Sequence, residues 1–130
     1  MFARCSSLTS IPEGLLPATT LAPACYEDVF VRCSSLTSIP EGLLPATTLA
    51  GFCYSNMFEG CSSLTSIPEG LLPAKTLDLS CYEYMFADNY LVNAAPRLPA
   101  ENLADDCYRY MFKNCNKLAS VNFSGNTIGL

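Results

Sequence analysis

Eight cysteines are the residues best suited to chemistry in this chain of 130 residues, and they fall into two columns. Cys25, Cys53, Cys81 and Cys107 form one, and Cys5, Cys33, Cys61 and Cys115 form the other, with Asn89 in the gap. A thiol could serve as a metal ligand, half of a disulfide or a nucleophile. Zinc sites gather close Cys or His pairs, whereas here even the nearest cysteines lie eight residues apart and His is absent. If Cys53 and Cys61 lay on one helix they would be ~12 Å apart, beyond disulfide reach. Bridges between neighbouring repeats would need close stacking. A Cys or Ser nucleophile also needs a base beside it, and without His the common dyads and triads are missing. We therefore expect buried free thiols acting as small hydrophobes, no metal, no cofactor and no enzyme.

Other polar columns could bind rather than react. Thr9, Thr37 and Thr65 line up, as do Ser10, Ser38 and Ser66, with Glu13, Glu41 and Glu69 beside the following turn. Such ladders suit a repetitive polymer or a protein surface, though small polar residues also suit any exposed strand. Positions that differ between copies are the second candidate: Phe52, Leu79, Tyr84 and Tyr110 could form an exposed anchor patch. Adjacent carboxylates such as Glu27-Asp28 and Asp105-Asp106 read as solvated surface, and Lys75 as a single replacement of a repeated Thr.

The elements that position these columns follow from one phrase. CSSLTSIPEGLLPA is written at Cys5–Ala18, Cys33–Ala46 and Cys61–Ala74, starting 28 residues apart, and a diverged copy starts at Asn89. A fixed period of this size marks a stacked repeat architecture. In the unit Leu49 to Pro73, the residues Cys53, Tyr54, Met57, Phe58 and Cys61 sit at i, i+1, i+4, i+5 and i+8. That spacing fits an apolar helix face. Thr47 or Thr48 would cap its start, Asn102 with Asp105 would do so in the last copy, and Pro23 would sit in the first turn. Ser62–Ile67, closed by Pro68, reads as a short strand. We expect strands near 8–11, 36–39, 64–67, 92–95 and 118–123, and helices near 20–31, 48–59, 76–87 and 102–113. The expected fold class is an α/β solenoid of the leucine-rich-repeat kind, one domain over 1–130. It would have four to five coils, short parallel strands on a concave face and helices on a convex one. Strands stack at ~4.8 Å and helices at ~8–10 Å, so the stack should bend.

Composition bounds the partners. Half of the residues are hydrophobic and 15% are charged, and no apolar run approaches a membrane span. The net charge of −5 argues against nucleic acid. Residues 1–96 hold three basic and nine acidic groups, and residues 97–130 hold four basic and three acidic. No signal peptide is visible. The chain opens in mid-repeat, at Met1-Phe2, so we expect a fragment of a longer repeat protein, or one whose open ends stack on another copy.

The pattern CYxxMFxxCxxLTxIP at Cys53–Pro68 resembles the BspA-like leucine-rich repeats of bacterial surface proteins. It recurs at Cys25–Pro40, Cys81–Pro96 and from Cys107, with Asn89 replacing Cys and Val92 replacing Leu in the diverged copy. The resemblance implies a curved right-handed solenoid in a secreted or surface-tethered protein. It also implies adhesion, host-protein binding and cell–cell contact. The function expected is thus a non-catalytic protein-interaction or adhesion module, extracellular or at the cell surface. A structural element self-associating through its ends is the alternative, and a polysaccharide-binding accessory domain a remote one. Protein is the expected partner, with glycan possible and neither nucleic acid nor membrane insertion expected.

Overall fold

A computed structural model describes residues 1–123 and 126–129. It overturns the α/β solenoid. Among the described residues there is no helix, and the strands are two: β1, Ser120–Phe123, and β2, Asn126–Gly129. They pair antiparallel, with Ser120 opposite Gly129 and Phe123 opposite Asn126.

The four segments expected to be helical are ribbons of consecutive tight turns. Two hydrogen-bond sets alternate along them. In the second ribbon, the amides of Phe52, Tyr54, Asn56, Phe58 and Gly60 donate to the carbonyls of Leu79, Cys81, Glu83, Met85 and Ala87 in the next coil, at 2.9–3.1 Å. The intervening amides donate back three residues, as Cys53 does to Ala50 and Met57 to Tyr54. Every backbone donor from Phe52 to Cys61 is thereby used, which a buried non-helical segment requires.

Each ribbon needs a left-handed residue every fourth position. Ala24, Asp28 and Arg32 have φ of 56°, 61° and 57°; Phe52, Asn56 and Gly60 follow at 56°, 57° and 71°. Ser80, Tyr84 and Asp88 repeat the pattern, then Asp106, Tyr110 and Asn114. A side chain there costs ~1–2 kcal/mol, which the cross-coil bonds and burial must offset. Pro23, expected at a helix start, instead occupies the second position of a turn closed by Cys25 N–H to Ala22 O at 3.2 Å. With Ala24 at positive φ, this is a type II arrangement.

Close stacking is the physical reason for ribbons rather than helices. Phe2, Phe30, Phe58, Phe86 and Phe112 stack nearly parallel, with ring centroids 5.5–5.9 Å apart. Tyr26, Tyr54, Tyr82 and Tyr108 form a second pile at 5.8–6.2 Å. A helix of ~10 Å diameter cannot repeat at that spacing, whereas a flat ribbon hydrogen-bonded to its neighbours can. Without a helical layer, the expected bending from unequal layer spacing loses its cause.

The expected strands near 8–11, 36–39, 64–67 and 92–95 are not regular strands. Thr37 N–H reaches Thr9 O at 3.3 Å and Thr65 N–H reaches Thr37 O at 3.5 Å. Among the described residues, parallel pairing is confined to isolated bridges, Thr48 to Thr76, Thr76 to Asn102 and Leu98 to Phe123. Thr48 and Asn102, expected as helix caps, are thus bridge residues, and Asn102 Nδ2 also donates to Thr76 Oγ1 at 3.2 Å. The expected strand at 118–123 is met by β1, although in a hairpin. Its Phe123 meets the Tyr108 ring edge-on at 5.2 Å.

The core is one buried cluster running through the coils. It includes Cys53, Tyr54, Met57, Phe58 and Cys61, together with Leu64, Leu71 and Leu72. These are the inward residues anticipated from the repeat, carried on a different backbone.

Candidate functional site

The residues at positive φ lie along the outer edge of the ribbons, and all but Ser80 are at least partly exposed. Four ribbons therefore present a grid of tips, with coils as rows and aligned positions as columns. The backbone bonds set the alignment: Asp28 N–H to Ser55 O, Asn56 N–H to Glu83 O and Tyr84 N–H to Arg109 O.

Tyr84 and Tyr110 occupy one column, and their rings lie 5.1 Å apart, tilted by 36°. Tyr110 is 47% exposed. Lys113 Nζ sits 5.4 Å from the Tyr110 centroid and 6.0 Å from that of Tyr84, and the Arg109 guanidinium carbon is 5.0 Å from the Tyr110 centroid. Both cations are within cation–π range of the rings. Phe52 and Leu79 are also exposed, and Phe52 N–H donates to Leu79 O at 2.9 Å. Among the described residues Phe52 makes no ring contact, so the four variable-face candidates divide into two neighbouring groups. Lys113 was not singled out from the sequence. The signal was available: it lies four residues beyond Arg109, one repeat of the turn pattern further along the same ribbon.

The opposite end of these columns is acidic. Glu27 and Asp28 are exposed. Burial first, then Asp28 and Glu83, push the Glu27 carboxyl above its ordinary value.

Thr9, Thr37 and Thr65, Ser10, Ser38 and Ser66, and Glu13, Glu41 and Glu69 are all exposed. The Thr37 and Thr65 hydroxyls donate to the preceding Thr carbonyl at 3.4 and 3.5 Å, so this ladder spends donors on its own backbone. Glu69 Oε1 pairs with Arg97 Nε at 2.7 Å, with both side chains about two-thirds exposed, an interaction of small weight. The Ser and Glu columns keep their alignment but converge on no common centre.

The cysteines hold the stack together rather than form a site. All eight are free, and six are buried. In the second column the thiols of Cys33, Cys61 and Cys115 donate to the carbonyls of Phe2, Phe30 and Phe86 at 3.1–3.2 Å. Burial pushes the Cys53, Cys61 and Cys81 thiols up to about 12 and Cys115 to about 11. Such thiols stay protonated and unreactive near neutrality. Among the described residues no three Cys, Asp or Glu gather as metal ligands, and no helix is long and apolar enough to cross a membrane.

Comparisons with protein-family models, with curated proteins and with solved structures find no match to this chain.

Proposed function

We propose that the chain is a non-catalytic interaction module of a secreted or cell-surface bacterial protein, serving adhesion by binding protein ligands. The pair of half-buried Tyr84 and exposed Tyr110 carries this reading. It sets two aromatic rings and two cations on an internally bonded scaffold, at positions where the repeat otherwise varies. Aromatic residues and Arg supply most of the energy at protein interfaces, and a fixed backbone reduces the ordering cost. The likeness of Cys53–Pro68 to the BspA-like phrase supports the cellular setting.

Screening the chain against immobilised host-matrix proteins and glycans tests this. Protein ligands should be captured, and Tyr84→Ser with Tyr110→Ser should weaken capture by about tenfold or more at unchanged thermal stability. Capture of glycans alone, or protein capture indifferent to both substitutions, contradicts it.

A further inference from the structure

A polar notch opens where three coils end their ribbons. The left-handed tips Arg32, Gly60 and Asp88, with φ of 57°, 71° and 60°, follow one another in adjacent coils. Backbone bonds fix that order: Arg32 N–H donates to Glu59 O at 2.7 Å, and Gly60 N–H to Ala87 O at 2.9 Å. Two residues further on in each coil stand Ser34, Ser62 and Tyr90. The middle tip has no side chain, and these six residues line a notch of about 380 Å3. The Arg32 stem lies over Gly60, where an added Cβ would sit 3.1 Å from Arg32 Cγ.

We propose that this notch binds a neutral sugar residue, through hydrogen bonds to its hydroxyls and packing of its ring on Tyr90. Among the described residues, the Arg32 guanidinium and the hydroxyls of Ser34, Ser62 and Tyr90 make no hydrogen bond. Asp88 is held in place: Asn114 Nδ2 donates to its Oδ1 at 2.7 Å, which fixes the carboxylate and leaves Oδ2 for a ligand. The lining thus combines a fork of donors, an acceptor-only oxygen and hydroxyls that do both. Adjacent hydroxyls on a pyranose ring need that mixture. Tyr90 is 45% exposed and offers an aromatic face to the C–H face of the ring. The equivalent positions in the three identical copies are Ser6, Ser34 and Ser62, so the ring is particular to the diverged copy.

The charges around the notch favour a neutral ligand. Its lining holds one cation and one carboxylate, and the neighbouring Glu59 carboxylate accepts from Asn56 Nδ2. An anion would meet the Asp88 and Glu59 carboxylates, and a cation would meet Arg32. A zwitterion would satisfy both signs, but Arg32 is exposed and ion pairs there are weak. It would also leave both serines and the Tyr90 face unused. A sugar uses every group in the lining, and the bonded ribbons hold those groups in place before it arrives. The notch shares no residue with the Tyr84–Tyr110 site, so the two bind independently.

Amide NMR titrations of the full chain test it, with the methyl glycosides of glucose, mannose and galactose and with soluble dextran and mannan. At least one of these sugars should shift the Arg32, Gly60, Ser62 and Tyr90 amides saturably. Tyr90→Ser restores the residue of the other copies and should weaken binding by about tenfold or more. Gly60→Asn places a side chain that tolerates positive φ in the notch, and should abolish binding. Both variants should melt as the wild type does and keep protein capture, while Tyr84→Ser with Tyr110→Ser should leave sugar binding unchanged. Dextran or mannan binding more tightly than its methyl glycoside would support the proposal and assign the sugar to a polysaccharide chain. Equal binding would support it with a single terminal residue as ligand. A panel that shifts none of these amides would overturn the proposal. So would sugar binding that both notch variants leave intact, or displacement of the sugar by equimolar sulfate or glycine, which would assign the notch to charge recognition.

Discussion

Asn89 Nδ2 donates to the Phe58 carbonyl at 2.9 Å, the bond that the Cys61 thiol makes to Phe30 one coil earlier. Asn replaces Cys in this column because both are compact donors that reach the carbonyl of a stacked phenylalanine. Asn89 also donates to Phe86 O at 2.8 Å and Ala87 O at 3.3 Å, while its Oδ1 is buried without a partner.

Removing that donor should therefore cost stability. Asn89→Ala is expected to lose about 2 kcal/mol in urea unfolding, because buried carbonyls lose a partner. Asn89→Cys should recover most of it, since it restores one donor and deletes the unpaired oxygen. Equal losses for Ala and Cys would contradict the donor role.

Alkaline pH should unfold the chain. Unfolded thiols lose their protons near the ordinary value of 9.0, whereas Cys53, Cys61 and Cys81 in the fold hold theirs to about 12. The folded state then binds more protons above the unfolded value, so stability is full below it and falls as pH rises. One unit above, these three thiols together withdraw about 4 kcal/mol. Burial also pushes the Tyr54, Tyr82 and Tyr108 hydroxyls up, which extends the loss at higher pH. Urea midpoints followed upward from neutral pH should fall across this window, with the thiolate absorbance of these three buried cysteines appearing only on unfolding. A flat profile would contradict the burial of these groups.

The inward columns were legible in the sequence because burial is read from spacing alone. Cys53, Tyr54, Met57, Phe58 and Cys61 face the core as expected. Their backbone was not legible, because i, i+1, i+4, i+5, i+8 fits a period of 3.6 and a period of four nearly equally over nine residues. The distinguishing signal lay on the other face. Asp28, Asn56, Gly60, Asp88, Asp106 and Asn114 all fall on tips, and these types enter the left-handed region most readily. Within a ribbon their spacing by multiples of four, as for Asn56 with Gly60 and Asp106 with Asn114, favours turns over a helix. The candidate surface was half legible. Tyr84 and Tyr110 stood out as departures from the repeat, but the approach of Lys113 to Tyr84 depends on which coil lies beside which. The thiol-to-carbonyl bonds were hidden for the same reason, since each links residues about 30 apart.

The central claim is that the outer segments are turn ribbons bonded to the next coil. NMR scalar couplings transmitted through hydrogen bonds test it most directly. The amide nitrogens of Tyr54, Asn56 and Phe58 should couple to the carbonyl carbons of Cys81, Glu83 and Met85, their acceptors in the structure. Couplings to Ala50, Phe52 and Tyr54 instead, four residues back along the chain, would show a helix and contradict the account.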